Sequence, residues 1–276
     1  MRKLILSAGL PRSGSTLLQN ILNSNPEFHG TPTSGILDSL LGIRSSFSRG
    51  VNFKTQDRLE LLGDMSTSMR GFLEGYYESK DGVVFDKNRA WTNKLDIIDN
   101  ILGHKETKVL WIYRDPVEIV NSMEHHYNKT ILLENSDESS RPNGFSTLDN
   151  RIASYYSLID GPLNCLRDAI ENGYGDRILF IEFDTLLSNP QNVMNHLHQH
   201  INEPQYKYPM HNIQQSTYEF DCIYNYKFPH TIKEGPITNI KTNIILHPKY
   251  VNIVEHKYSK FIEFTKARNL DLLLHI

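Results

Sequence analysis

An anion-binding loop is predicted near the N-terminus, where residues 9–16 have the sequence GLPRSGST. The loop follows the short apolar run Leu4–Ser7 and precedes the helical pattern Ser15–Asn23. Glycine lets a backbone approach a phosphate closely, and the free N–H groups at the start of the next helix point at the anion. A strand, a glycine-rich loop and a helix in this order therefore predict a phosphate site.

The loop matches the phosphate-binding pattern GxxxxGK[ST] except that Ser15 stands where the lysine belongs. ATPases and kinases place that lysine on the β- and γ-phosphates of their nucleotide. A donor without a γ-phosphate does not need a lysine at this position. The substitution therefore disfavours a kinase.

A second anion-binding group is predicted at the end of the apolar run Val109–Tyr113. This run is followed by Arg114-Asp115-Pro116 and then by a helical pattern that contains Ser122. A planar guanidinium engages two oxygens of a phosphate, and a hydroxyl adds a further hydrogen bond. The carboxyl end of a parallel strand is also where α/β proteins bind their ligands. Arg114 and Ser122 therefore suit a phosphate monoester.

Both segments resemble those of the sulfotransferase family. PRSGSTLL at 11–18 is similar to the PRSGTTL-type 5′-phosphosulfate-binding loop, closest to the tyrosylprotein branch and related bacterial proteins. YRDP at 113–116, followed by VNSM at 120–123, is similar to the family's 3′-phosphate-binding segment. The resemblance implies 3′-phosphoadenosine 5′-phosphosulfate (PAPS) as the donor and 3′,5′-ADP as its product. It implies that Arg12 contacts the bridging oxygen and that Arg114 and Ser122 bind the 3′-phosphate. It implies that the 5′-phosphate is bound by Ser13, Gly14, Ser15 and Thr16.

The resemblance also implies a catalytic lysine. In sulfuryl transfer, as in phosphoryl transfer, the protein mainly positions groups and stabilises charge on the leaving oxygen. Lys87, in DKNRAW at 86–91, follows the apolar run Val83–Phe85 and should project at the same sheet edge. Similar segments of bacterial and tyrosylprotein sulfotransferases carry the lysine that contacts the transferring group. Arg89 is a second candidate for contact with the sulfonate or the acceptor.

The general base is predicted to be a histidine. The tyrosylprotein branch has a glutamate at the position of Thr33, and cytosolic sulfotransferases have a histidine at that of Arg89, so neither base carries over. The HTIK segment at 230–233 resembles an H-x-[IV]-[RK] segment of some bacterial sulfotransferases. His230 is therefore assigned as the base, because imidazole titrates near neutrality. The alternatives are His29, His125 and His126.

The elements that must position these residues predict an α/β protein with one domain over residues 1–276. Continuous apolar runs predict four strands covered on both faces: Leu4–Ser7, Val83–Phe85, Val109–Tyr113 and Ile178–Phe183. Periodic segments predict helices at Ser15–Asn23, Gln56–Glu78, Thr92–Leu102, Val117–Tyr127, Leu148–Asn172, Gln191–Ile201 and Lys249–Lys266. This alternation predicts a mainly parallel sheet flanked by helices. The resemblance implies the P-loop NTPase-like sulfotransferase fold.

Three segments are expected to interrupt this regular pattern. Gly161-Pro162 should kink or divide its helix. The polar stretches Asn128–Thr147 and Asn202–Thr242 are predicted to be irregular, and loops of such length in a compact domain tend to be functional.

Composition excludes several classes of function. A net charge of −3 disfavours nucleic-acid binding. No segment reaches the roughly 20 apolar residues of a membrane helix, and the N-terminal run is too short for a signal peptide. Cys165 and Cys222 have no CxxC spacing, which favours reduced thiols and a cytoplasmic location. The sequence has no HExxH motif or Cys/His cluster, so we expect no metal.

The favoured hypothesis is a PAPS-dependent sulfotransferase that acts on an acceptor hydroxyl or amine. One alternative is a P-loop kinase, although the sequence also has no apolar strand that ends in an isolated Asp suited to a metal. The other alternative is a protein that binds a nucleotide without catalysis, against which the presence of Arg12 and Lys87 argues.

Overall fold

The computed structural model describes residues 3–132, 147–220, 230–238 and 243–274. Five parallel strands form one sheet in the order β2-β3-β1-β4-β5. The strands are β1 (Lys3–Gly9), β2 (Phe28–Thr33), β3 (Val83–Lys87), β4 (Val109–Tyr113) and β5 (Ile178–Glu182). The α-helices within these ranges are α1 (Ser15–Leu22), α2 (Ile36–Arg49), α3 (Arg58–Tyr76), α4 (Leu95–Leu102), α5 (Pro116–Leu132), α6 (Leu148–Glu171), α7 (Phe183–Ser188), α8 (Pro190–His200), α9 (Pro248–Lys257) and α10 (Ser259–Leu274).

The register of the central strand brings the predicted site residues to one edge of the sheet. Strand β1 pairs with β3, with Ser7 opposite Lys87, and with β4, with Gly9 opposite Ile112. Arg114 follows β4 one residue after its end. The loop after β1, Lys87 and Arg114 therefore all lie at the carboxyl edge, where open α/β sheets bind ligands.

The core lies on both faces of the sheet, as the continuous apolar runs predict. In β1, Leu4 and Leu6 pack into a cluster on one face with helices α2 to α6 and α9. Ile5 packs into the other cluster, with α1, α7 and α8. Burial on both faces explains why alternation is absent from these strands. The α/β class and the mainly parallel, helix-flanked sheet are confirmed.

Three elements were not predicted from the sequence: β2, α2 and the short helix α7. Strand β2 contains Gly30 and Pro32, residues that disfavour a central strand. It lies at the edge of the sheet, where proline is tolerated, and its pairing with β3 is irregular between Gly30 and Thr33. Helix α2 carries Gly42 and four serines, which weaken a helical pattern, but it buries Ile36, Leu37 and Leu40.

Several predicted boundaries are wrong. Helix α6 runs through Gly161-Pro162 without division, and Pro162 is buried on the helix face that also buries Ile159 and Leu166. The last predicted helix is instead two, α9 and α10, which meet at Tyr258. Phe183 begins a helix rather than ending a strand. Helix α5 continues past Tyr127 to Leu132, so the first residues of the Asn128–Thr147 segment, predicted to be irregular, are helical. Residues 133–146 of that segment lie outside the described ranges.

Replacing Gly9 with alanine is expected to destabilise the protein by about 1–3 kcal/mol, because the backbone there adopts a φ of 144°. An added Cβ would also overlap the carbonyl oxygen of Ile112, which accepts a hydrogen bond from the Leu10 amide at 3.0 Å. Urea unfolding measures the change. Gly71→Ala, in helix α3 with open space around its Cβ position, is the control and should stabilise slightly. A Gly9→Ala variant as stable as the wild type would contradict the prediction.

Candidate functional site

The glycine-rich loop has the geometry of an anion site. Gly14 adopts a left-handed φ of 85° immediately before α1, and no described side chain caps the start of this helix. The first N–H groups of a helix have no partner within it, so those of α1 are suited to an anion. A Cβ at position 14 would overlap the ring of Phe183, so the loop and α7 pack together only because residue 14 is glycine.

The side chain of Ser13 is turned into the protein interior. It is fully buried, and its hydroxyl lies 2.5 Å from the Leu10 carbonyl oxygen and 3.2 Å from that of Ile112. This hydroxyl ties the loop to the end of β4, and Ser13 is not among the residues that line the neighbouring cavity. Only the backbone of Ser13 is therefore placed to contribute to anion binding.

One cavity of about 730 Å³ at the carboxyl edge brings the other predicted residues together. Its volume lies within the range typical of small-molecule sites. Apolar side chains, among them Tyr155, Leu158 and Ile213, form part of its wall. The predicted residues that line it are Arg12, Gly14, Ser15, Thr16, Lys87, Arg114, Ser122 and His230.

The two predicted phosphate subsites adjoin each other. Arg12 Nε lies 3.4 Å from the Ser122 hydroxyl, so the loop after β1 contacts α5 directly. On the sequence these residues are 110 positions apart. A single bisphosphorylated ligand can therefore meet both subsites.

Arg114 is held at the cavity by two contacts. Its Nε donates to Glu118 Oε2 at 2.9 Å, and its guanidinium carbon lies 4.9 Å from the centre of the Phe183 ring. Asp115 does not pair with it, because its Oδ1 accepts from the Val117 amide at 2.7 Å at the start of α5. Glu118 therefore occupies Nε of Arg114, whereas the two terminal nitrogens of the Arg114 guanidinium have no hydrogen-bond partner among the described residues.

Lys87 lies between the glycine-rich loop and a carboxylate that the sequence did not reveal. Its side chain is only 8% exposed, and Nζ lies 2.7 Å from Glu219 Oε1 and 3.5 Å from Thr16 Oγ1. The preceding residue, Asp86, is fully buried and accepts hydrogen bonds from Tyr77 and Trp91. Burial raises the pKa of Asp86. These bonds fix the end of β3 and with it the origin of the Lys87 side chain.

Glu219 connects several parts of the site. Its Oε1 accepts from the Thr33 amide and hydroxyl, each at 3.0 Å, and its Oε2 lies 3.4 Å from His230 Nδ1. Burial raises the pKa of Glu219, but Lys87, the Thr33 amide and His230 together outweigh burial, so the pKa is lowered. The carboxylate is therefore ionised at neutral pH. No local motif marks Glu219, which stands in the irregular segment TYEF at 217–220.

Glu219 and His230 belong to what we term the strap, residues 213–220 and 230–238. Asn20 of α1 holds the strap with its Oδ1, which accepts from the Ser216 amide at 2.5 Å and the Thr217 amide at 3.0 Å. Ile213 and Gly235 form an antiparallel bridge between the two parts of the strap. The strap, which is part of the Asn202–Thr242 segment, thus packs on the site.

The other candidate residues have different positions. Arg89 and His126 line the cavity. His125 Nε2 lies 2.9 Å from the Asn243 carbonyl oxygen, so this side chain connects α5 to the segment before α9. His29, on β2, is not among the lining residues. Both His125 and His126 lie inside α5, not at its end.

Two further findings concern described residues outside the cavity. Across the described ranges, none of the helices has the length and apolar character needed to cross a bilayer. Cys165 is a half-buried free thiol whose pKa is raised by burial, and Cys222 lies outside the described residues.

Comparison with known proteins identifies the family. Residues 5–207, well over half of the chain, match the model of the sulfotransferase family. No curated protein sequence matches. The fold is similar to that of the sulfotransferase domain from the curacin biosynthetic pathway (TM-score 0.51, 14% identity, covering 93% of this chain and 96% of that one). It is similar to the sulfotransferase domain of the Synechococcus PCC 7002 olefin synthase (0.52, 14%, 92% and 94%) and to sulfotransferase STF9 of Mycobacterium avium (0.51, 14%, 94% and 76%). The chain is therefore a member of the sulfotransferase family.

Proposed function

We propose that this sulfotransferase moves the sulfuryl group of PAPS to an acceptor hydroxyl or amine by in-line transfer and releases 3′,5′-ADP. The observation that supports the proposal is the contact between Arg12 and Ser122, which both line one cavity and which we propose to belong to two anion subsites. A donor with phosphates on both sides of its ribose has a use for two such groups. ATP and GTP have no 3′-phosphate to occupy the second.

In this proposal the loop after β1 binds one end of the donor, and Arg114, together with Ser122 of α5, binds the other end. The backbone N–H groups of residues 13–16, with the hydroxyls of Ser15 and Thr16, bind the 5′-phosphate. Arg114 and Ser122 bind the 3′-phosphate through charge-assisted hydrogen bonds. The ring of Phe183 packs against Gly14 and lies 4.9 Å from the guanidinium carbon of Arg114, so it contacts both groups of residues.

The reacting groups lie at the Lys87 side of the cavity. Arg12 and Lys87 stabilise negative charge on the bridging oxygen as the S–O bond breaks, which is the main demand of this chemistry. His230 accepts the proton of the acceptor while the acceptor oxygen or nitrogen bonds to sulfur. These cations supply the positive charge, so the proposal includes no metal. It includes a domain that spans residues 1–276 and a cytoplasmic location, the latter supported by two cysteines without a pairing motif.

Titration calorimetry with 3′,5′-ADP and with ATP tests the donor assignment. We expect 3′,5′-ADP to bind more tightly than ATP, because only the former offers a 3′-phosphate to Arg114. Tighter binding of ATP would favour the kinase alternative. Transfer of labelled sulfate from PAPS across a panel of sugars, phenols and amines then tests turnover, and binding of 3′,5′-ADP without transfer to any of them would favour the non-catalytic alternative.

A further inference from the structure

We propose that Glu219 is a positioning residue, which orients both Lys87 and His230 from behind the cavity wall and fixes the hydrogen of the His230 ring on Nδ1. This inference rests on the proposed function, in which His230 is the base. It assigns a role to a carboxylate that no sequence motif marks.

The two oxygens of Glu219 have separate tasks. Oε1 lies 2.7 Å from Lys87 Nζ and Oε2 lies 3.4 Å from His230 Nδ1, so one carboxylate joins the cation of the reacting centre to its base. Thr33 donates its amide and hydroxyl to Oε1, which fixes the carboxylate to the end of β2. The Glu219 side chain is 7% exposed and is not among the residues that line the cavity, whereas Lys87 and His230 both line it. Glu219 therefore acts through these two residues.

The contact at Nδ1 decides which nitrogen can act as a base. An ionised carboxylate accepts a hydrogen bond, so it favours the neutral tautomer with hydrogen on Nδ1. The lone pair is then on Nε2, at the opposite side of the ring. Nε2 takes the acceptor's proton while the new bond to sulfur forms, and the electron pair of the broken S–O bond leaves with the 5′-phosphate oxygen. Glu219 stabilises the imidazolium that results.

The positive charges around the cavity are a reason for a carboxylate beside His230. The cavity is lined by a group of cationic or titratable side chains: Arg12, Lys87, Arg89, Arg114, His126, His230 and Lys233. Nearby positive charges disfavour the charged imidazole, and a carboxylate at close range favours it. Glu118 lies beside Arg114 and is paired there. Glu219 is in direct contact with His230, because its Oε2 lies 3.4 Å from Nδ1.

This role also accounts for the departure from the tyrosylprotein pattern at residue 33. The glutamate of that branch corresponds to Thr33, and the Thr33 hydroxyl and amide are what hold Glu219 here. The carboxylate near this end of β2 is thus supplied by the strap. The function proposed for Glu219 differs from that of the glutamate in the tyrosylprotein branch, because Glu219 supports a histidine that faces the cavity.

Nuclear magnetic resonance of the nitrogen-labelled histidine rings tests the inference, and this measurement needs no acceptor substrate. His230→Gln identifies the His230 signals by their loss. In the wild-type protein, above the pH at which the ring titrates, we expect the Nδ1–H tautomer of His230. In Glu219→Gln, we expect the pKa of His230 to fall by about one unit or more, because the anion that favours the imidazolium is gone.

The control is Glu234→Gln, which removes the same charge from the same strap. Glu234 Oε1 accepts from the Gln215 amide at 2.9 Å, and the glutamate is not among the lining residues. We expect its replacement to leave the His230 titration unchanged. An Nε2–H tautomer in the wild type would overturn the inference even if Glu219→Gln does not fold, and so would an unchanged pKa in a folded variant. Calorimetry with 3′,5′-ADP distinguishes failure of this inference from failure of the proposed function. The proposed anion subsites do not include Glu219, so 3′,5′-ADP should bind even if the inference is wrong.

Discussion

Lys87→Met is expected to lower the rate of sulfuryl transfer by about 10²–10³-fold, the usual loss when one donor to a developing negative charge is removed. Lys87 Nζ lies 3.5 Å from the Thr16 hydroxyl, beside the subsite proposed for the 5′-phosphate, where the leaving oxygen gains its charge. Methionine keeps the length and apolar stem of the side chain and removes the ammonium. Single-turnover transfer of labelled sulfate from PAPS measures the rate, and calorimetry should show affinity for 3′,5′-ADP within a few-fold of the wild type.

Stability needs a separate control in this experiment, because Lys87→Met leaves the buried Glu219 without its cation. Breaking a buried pair by removing one partner costs about 3–5 kcal/mol. The double variant Lys87→Met/Glu219→Gln removes that charge and should recover stability but not activity. Lys3→Met, which breaks a pair with Glu203 at the opposite end of β1, should leave the rate unchanged. Full activity in folded Lys87→Met would contradict the catalytic assignment.

Arg114→Gln is expected to weaken binding of 3′,5′-ADP roughly a hundredfold, which corresponds to about 3 kcal/mol. The guanidinium is held at the cavity by Glu118 and Phe183, so the charged fork is already in position before the ligand binds. Glutamine retains hydrogen-bonding capacity and loses the charge and the planar fork. Affinity for 5′-AMP, which has no 3′-phosphate, should change by only a few-fold, and calorimetry with both nucleotides provides the comparison.

The control for Arg114 is Arg167→Gln, an arginine on the exposed surface of α6 that bonds Asn164. It should affect neither nucleotide. Equal losses of 3′,5′-ADP and 5′-AMP affinity in Arg114→Gln would refute the 3′-phosphate assignment. An unchanged affinity for both would place the second subsite elsewhere.

The part of the site that could be predicted from the sequence is the part that follows strand ends. The glycine-rich loop, Lys87 and Arg114 each come directly after or at the end of a buried apolar run, and such runs are recognisable locally. Parallel strands bring their carboxyl ends to one edge, so these residues were expected to meet. The confirmed α/β class and parallel sheet follow from the same signal.

The part that could not be predicted depends on contacts between distant segments. Glu219 is 132 positions from Lys87, and its surroundings in the sequence are irregular. Its partner Thr33 is on β2, an edge strand whose Gly30 and Pro32 conceal it from a search for apolar runs. Ser13 was predicted to bind the 5′-phosphate as part of the loop, and only the three-dimensional contacts show that its hydroxyl is turned inward, toward the Leu10 and Ile112 carbonyl oxygens.

The bonds between Asn20 and the strap have an evolutionary consequence. The side-chain oxygen of Asn20 accepts hydrogen bonds from the backbone amides of Ser216 and Thr217. The side-chain nitrogen of Asn20 donates to the Thr217 hydroxyl at 3.1 Å. Neither a hydrophobic nor an acidic side chain can both donate and accept in this way. Among homologues that share this architecture, residue 20 and the 216–217 pair should therefore substitute in concert, although nearly 200 residues separate them on the chain.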